Sequence, residues 1–525
     1  MVPSCLRKRC DQPYFDSWLI IYALLTFVYV VPVWLFPYFP SQDGPCHLYN
    51  ASIIKHYNEP GYTFSQVYII RDSLIPNWTS HALLVLLLGF LNPLIAEKAL
   101  LTGYVLLMSV GLLYYVSAVK EDAKPLAILG FPYIYNGLLV MGFYNYSIGI
   151  GLMLISIGYW LRNGQNISYK TLLILGILLL LLYFTHPLAL LLAMFSLLMI
   201  TLRNLITRSM GLNEALLSLV SFVIPTVLLM FHLERGSWYW GDWTFSRLLT
   251  FFWDNGALVY HSPDQQIFAH ILTWTFAVVL AYTLLKEQVF QKAYWFGPKG
   301  RSKDFFLFLS MTFLLFYFIF PDRMSGGAVI KGRLSFLPFL VIIPWINWGM
   351  SKRMKNAIGA LLIVISVGYV AQVSAYHQRL NGELETYTSG MDVIKPGSVM
   401  LPLCFDAPGS GWLIGTFQHA LGYYGVMNGG IDLGNYEAGT GHFPVVFKAD
   451  YKRPDIAEIE NNPGAFDFGR WVHEIDYVVT WALPEPGKTA SRLNRFYEPV
   501  KENGKLKIFR KKALPASEMA EKIEK

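Results

Sequence analysis

The chain has 525 residues, 54% hydrophobic and only 15% charged, with a mean hydropathy of +0.40. That is too apolar for a soluble protein of this length. The net charge of +7, from 42 basic and 35 acidic residues, is spread over short loops between apolar runs, so nothing points to nucleic acid as a partner.

Ser17–Pro37 is the first long apolar run. Arg7, Lys8 and Arg9 precede it, so residues 1–16 are expected on the cytoplasmic side. The run exceeds a signal-peptide core and no small-x-small cleavage site follows, which predicts an uncleaved anchor. A long outer loop, residues 38–93, comes next. Within it, His81–Leu91 is apolar but too short to cross ~30 Å of hydrocarbon. Asn92-Pro93 ends it, and it is expected as a juxtamembrane helix.

Ten further spans are expected: Leu94–Val119, Leu126–Phe143, Asn145–Leu161, Thr171–Thr185, Pro187–Leu202, Ala215–His232, Ala269–Leu285, Phe305–Phe320, Leu334–Trp348 and Ala357–Tyr376. With 81–91 left outside, basic loops such as Lys286–Lys303 and Lys352–Lys355 fall on the inner side. From His377 onward Gly, Pro and charge increase. Ser398–Cys404, Tyr477–Thr480 and Leu506–Arg510 read as strands, and the Asn-Gly of "VKENGKLKIFR" marks a hairpin. The predicted fold is a polytopic α-helical membrane protein of about eleven spans. Its transmembrane domain covers 17–376, a C-terminal extracytoplasmic α/β domain covers 377–514, and a tail covers 515–525.

Polar residues stand out against this background. "FPSQDGPCHLYNA" carries Asp43 and His47 just after the first span, and an acid between apolar stretches costs free energy unless solvated or partnered. If a helix starts there, Asp43 and His47 share a face. The same outer loop holds Arg71, Asp72 and His81. "LERGSWYWGDWTFSR" is rich in aromatics; Trp238, Trp240 and Trp243 suit an interfacial belt or contact with a substrate. "FPDRMSGGAVIKGRLSF" places Arg323, Lys331 and Arg333 on the side where cations are otherwise scarce. They suit lipid phosphates reached by snorkelling, or a phosphorylated ligand gripped by Arg forks. Asn145 in "GFYNYSIG" and His186 in "YFTHPLAL" sit at the mouths of two turns, where His186 is also a natural capping residue. The four cysteines, Cys5, Cys10, Cys46 and Cys404, have no metal-ligand spacing, and pairing of Cys46 with Cys404 stays open.

The arrangement resembles the GT-C superfamily of integral-membrane glycosyltransferases, which includes protein O-mannosyltransferases, lipid A aminoarabinose transferases and oligosaccharyltransferases. The likeness rests on Asp43 opening a long outer loop and on the surface helix 81–91. It rests also on "NPLIAEKALLTGYVLLMSVGLLYYV", "GFYNYSIGIGL" and "PDRMSGGAVIKGRLSFLPFL". The single acid of "QDGPCH" replaces the paired acids of the better-known mannosyltransferases, so no cofactor is obligatory and a divalent cation is compatible.

The resemblance implies an inverting transfer of a sugar from a polyprenyl-phosphate donor to a hydroxyl of an acceptor glycan, lipid or protein. Asp43 would be the base, with His47 orienting it. Arg323, Lys331, Arg333, Asn145, His186, Asp72 and Arg71 would hold the donor phosphate, and the three tryptophans would stack on the sugar. Membrane lipids are the other expected partners, and a bacterial inner membrane the expected setting. A transporter or flippase for a lipid-linked or anionic substrate is the alternative, because ionisable residues at span mouths also suit a translocation path.

Overall fold

Continuous apolar runs give helices of bilayer length. In the computed structural model, residues 17–71, 74–232, 238–289 and 303–513 are described. Asp72, Cys5, Cys10, the N-terminal segment 1–16, the tail 515–525 and much of the basic loop Lys286–Lys303 lie outside the described residues. Among the described residues, six helices are long and apolar enough to cross a membrane: Ser17–Trp34 (α1), Pro93–Ser117, Pro187–Ile206, Leu212–His232, Pro263–Lys286 and Lys352–Val393. α1 buries Tyr22, Leu25 and Tyr29 and leaves Leu24 and Phe27 exposed, an apolar outer face suited to lipid rather than water.

Length and composition thus support six spans where about eleven were expected. The expected span Leu126–Phe143 is instead mostly a 3-10 segment, Glu121–Ile134, with Pro125 and Pro132 inside it. Each proline removes an amide donor and clashes with α-helical geometry. Such backbone is tolerated at membrane depth only where protein covers it. Leu126, Leu129, Phe131 and Tyr133 are accordingly fully buried. Leu334–Trp348 is likewise broken, into Ile330–Ser335, Leu337–Ile342 and a 3-10 turn Ile343–Trp345, with Pro338 and Pro344 at the joints. Tyr144–Asn163 is a single helix, more polar than the six; Tyr169–Thr185 and Asp304–Ile319 are apolar but shorter. The short helix expected at 81–91 forms as Thr79–Leu88.

The expected domain boundary at 376/377 falls inside one helix. Lys352–Thr388 is 37 residues long, about 55 Å at ~1.5 Å per residue, so it outruns a bilayer and continues into the C-terminal region. There a five-stranded sheet has the order β3-β2-β5-β7-β6. Its strands are β2 (Val399–Cys404), β3 (Ile431–Asp432), β5 (Tyr477–Trp481), β6 (Tyr497–Asn503) and β7 (Leu506–Lys511). β2 is parallel to β3 and β5, and β7 is antiparallel to β5 and β6. The β6–β7 hairpin turns through Gly504 and Lys505, and the Gly504 φ of +56° is the left-handed conformation glycine allows.

The C-terminal region does not stand apart. β4 (Val445–Phe447) pairs antiparallel with β1 (Tyr68–Ile70) of the outer loop. Helix Gly422–Asn428 packs on α2 (Gly44–Lys55). α2 is therefore buried on all sides from Gly44 to Ile53, although it carries His47, Asn50 and Ser52. Buried polar groups of this kind need partners, and the C-terminal region supplies several of them.

Candidate functional site

Asp43 is the N-cap of α2 and is buried. Its amide donates to the Met141 carbonyl, and that of Gln42 donates to Val140, so the turn 137–143 clamps the acid's backbone. The clamp needs Gly142: its φ is +90°, and a Cβ there would lie 2.7 Å from Asp43 Cβ. The Asp43 carboxylate accepts from His419 Nδ1 at 2.9 Å and from the Gln42 amide at 3.2 Å, both on Oδ1. His419 Nε2 lies 3.0 Å from Glu460 Oε1. An imidazole between two carboxylates donates at both nitrogens only as the cation. Burial opposes that charge, but the hydrogen bonds to Asp43 and Glu460 outweigh it and push His419 up to about 10. His419 also stacks on Tyr436, with ring centroids 4.4 Å apart.

One helical turn further on, His47 is buried with one nitrogen on each of two partners. Nε2 is 2.8 Å from the Gly142 carbonyl, which only accepts, so this nitrogen carries a proton. Nδ1 is 2.7 Å from Glu437 Oε1. His81 Nε2 lies 3.0 Å from Glu437 Oε2, and Asn50 donates to the same oxygen. Burial alone would raise the Glu437 carboxyl, but His47 and His81 prevail and hold it well below the usual carboxylate range. Asp432 has weaker help, from the nearby His419 charge. Burial pushes it up to about 7, although it accepts from the Gly434 amide at 2.8 Å.

Asp43 and His47 open onto a cavity of about 330 Å³, whose other walls include His186, Arg333, Tyr436 and Phe443. Its size falls in the range of small-molecule sites. Arg333 is buried, and Nη1 donates to His186 Nε2 at 2.7 Å. Its guanidinium sits 4.5 Å over the Phe143 ring. Its Nε has no hydrogen bond, and among the described residues no carboxylate pairs with it. A buried guanidinium with spare donors beside a cavity favours an anion there. Gly326 lets the 324–328 loop meet His442 of the C-terminal region, because a Cβ would collide with that ring.

The remaining expected residues have other positions. Asn145 lines the cavity, yet its Oδ1 accepts from the Ser80 amide and its Nδ2 donates to the Asn77 carbonyl. It anchors the start of helix Thr79–Leu88 with both ends of its amide. Lys331 Nζ donates to the carbonyls of Tyr317 and Phe318, the last turn of Asp304–Ile319, and lies away from the cavity lining. Arg323 is exposed against Tyr239. Arg71 donates to the Gly441 carbonyl beside the β1–β4 pair. Trp238 and Trp240 are 63% and 53% exposed, Trp243 packs edge-on to Phe251, and none of the three lines the cavity. Cys46 and Cys404 are both free thiols.

Sequence reasoning missed Glu437, His419, Glu460 and Tyr436. For Tyr436 and Glu437 the available signal was an acid and a His among glycines in "NYEAGTGHF", within a segment otherwise read as part of a separate domain; His419 and Glu460 lie outside that stretch. No known protein family matches the chain, and no curated protein matches its sequence.

Proposed function

We propose that the protein is a membrane glycosyltransferase that moves a sugar from a polyprenyl-phosphate donor to an acceptor hydroxyl. The observation that carries this reading is that Asp43 and Arg333 line one cavity, an acid–base group facing an anion-seeking guanidinium. In the reaction the acceptor oxygen forms a bond to the anomeric carbon while the carbon–phosphate oxygen bond breaks on the opposite face. Asp43 takes the acceptor proton, a role typically contributing ~10²–10⁴-fold. Arg333, with His186 behind it, stabilises the charge growing on the departing phosphate. The His419 ring keeps the Asp43 carboxylate oriented, with Glu460 fixing the ring from its far side. His47 orients the same turn of α2, since its amide donates to the Asp43 carbonyl.

This reading takes a topology of about eleven crossings, with shorter and broken helices completing the six long ones. The N-terminus is cytoplasmic, the C-terminal region is on the outer side, and the host membrane is the bacterial inner membrane. Purified protein in liposomes should release polyprenyl phosphate from sugar-loaded polyprenyl phosphates in the presence of acceptor alcohols. Turnover of nucleotide sugars alone, or transmembrane movement of the lipid without cleavage, would refute the proposal, the latter in favour of a flippase.

A further inference from the structure

Behind the cavity, His47, His81 and Glu437 bring three ligand atoms within 4.8 Å of one another. They come from three distant parts of the chain: α2, helix Thr79–Leu88 and helix Tyr436–Gly439. We infer that this trio is a zinc site that pins the C-terminal region to the outer loop behind Asp43. The inference rests on these three residues alone and stands apart from the transferase reading.

Four observations carry it. All three side chains are almost wholly buried, at 3%, 0% and 0% exposure for His47, His81 and Glu437. Each histidine commits its outward nitrogen to a backbone carbonyl: His47 Nε2 to Gly142, and His81 Nδ1 to Asn77 at 3.3 Å. This is the outer support that metal-binding histidines use, because it fixes the ring and turns the other nitrogen toward the ion. Glu437 is held by Asn50 on Oε2, as a ligating carboxylate is. Finally, His47 Nδ1 and Glu437 Oε1 face each other at 2.7 Å as an ion pair, and neither atom makes a hydrogen bond. Two buried polar atoms left so in a pure hydrogen-bond network would be costly.

The donor set of two imidazole nitrogens and one carboxylate oxygen suits Zn²⁺. Tetrahedral coordination at ~2.0–2.1 Å spaces donors by roughly 3.3 Å. The 2.7 and 3.0 Å separations run to different oxygens of Glu437, so binding one ion through a single carboxylate oxygen would need small shifts of the rings among donors that already lie within 4.8 Å of one another. Zinc would displace any proton on His47 Nδ1 and His81 Nε2. Three protein ligands leave a fourth position for water or an oxygen anion. His47 is the ligand that also lines the cavity, so a metal here would act on Asp43 as a positioning element through the first turn of α2.

The test uses the full chain in detergent, stripped with chelator, given Zn²⁺ alone and freed of excess. Elemental analysis should return about one zinc per chain. The Glu437→Gln and His81→Asn variants should retain less than about one-tenth of that, and His442→Asn, next to the site but not in it, should retain it all. X-ray absorption of the zinc-loaded wild type should show imidazole scattering with ligands at ~2.0–2.1 Å, a readout that does not depend on any variant folding. Wild type that takes up no zinc, spectra without imidazole, or Glu437→Gln protein that keeps its zinc would each overturn the assignment and leave a hydrogen-bonded cluster.

Discussion

Glu460→Gln tests the Asp43–His419–Glu460 chain without touching the cavity. The histidine is 6% or less exposed and its pKa moves from 6.5 to about 10, which corresponds to ~5 kcal/mol at ~1.4 kcal/mol per tenfold change. Asp43 and Glu460 both contribute, so removing the Glu460 charge should forfeit about half, ~2–3 kcal/mol, and bring His419 down to about 8. The sign follows from linkage. A histidine raised above its unfolded value stabilises the fold fully below about pH 6.5, and that stability is lost as pH rises through its folded value. The wild type's extra stability should therefore begin to fall near pH 6.5 and be gone by about pH 10, and the variant should lose its smaller share between about pH 6.5 and 8. The gap between them should be constant below about pH 8 and close between about 8 and 10. Thermal unfolding of both proteins in detergent, followed by tryptophan fluorescence from acid to alkaline pH, reads this directly. Parallel curves, or a gap that widens with pH, would refute the claim that His419 is a cation held by two acids.

Three further outcomes are expected. Arg333→Ala should raise the donor KM by ~10–100-fold, the scale of a lost charged hydrogen bond, whereas Lys331→Met should lower stability by ~1–3 kcal/mol and leave donor KM unchanged, because Lys331 caps a helix. Steady-state transfer kinetics beside a thermal melt separate the two. Gly142→Ala, at a left-handed φ against Asp43, should cost ~1–3 kcal/mol and reduce transfer, measured by the same pair of assays. Trp238→Ala and Trp240→Ala should leave kcat and KM within about twofold, since both rings are exposed away from the cavity; a large kcat loss would restore a sugar-stacking role.

How far the sequence spoke for the site depended on whether the signal was local. Asp43 and His47 stand out because an acid and an imidazole one turn apart are conspicuous between apolar runs, and Arg333 because it is a cation on the expected outer side. Their partners did not stand out. His419, Glu437 and Glu460 lie more than 370 residues beyond Asp43 in the chain, and only the docking of the C-terminal region on α2 brings them in. Lys331 and Asn145 looked equally chemical but are consumed by backbone carbonyls and amides, a fate that depends on helix ends lying nearby. The tryptophans were overweighted for the opposite reason: aromatic density says that a surface is amphipathic and not which way the rings face. Among the spans, hydropathy found the six long helices, while Pro125, Pro132, Pro338 and Pro344 changed the geometry of two apolar segments without lowering their hydropathy.

The central claim is that Asp43 does the chemistry at the cavity it shares with Arg333. The most direct measurement is sugar transfer from a labelled polyprenyl-phosphate donor by Asp43→Asn protein, which keeps the side chain's size and removes the base, with its melting temperature as a control for folding. The account predicts a loss of ~10²-fold or more in kcat with the donor still bound. Transfer at the wild-type rate by a folded Asp43→Asn protein would contradict it.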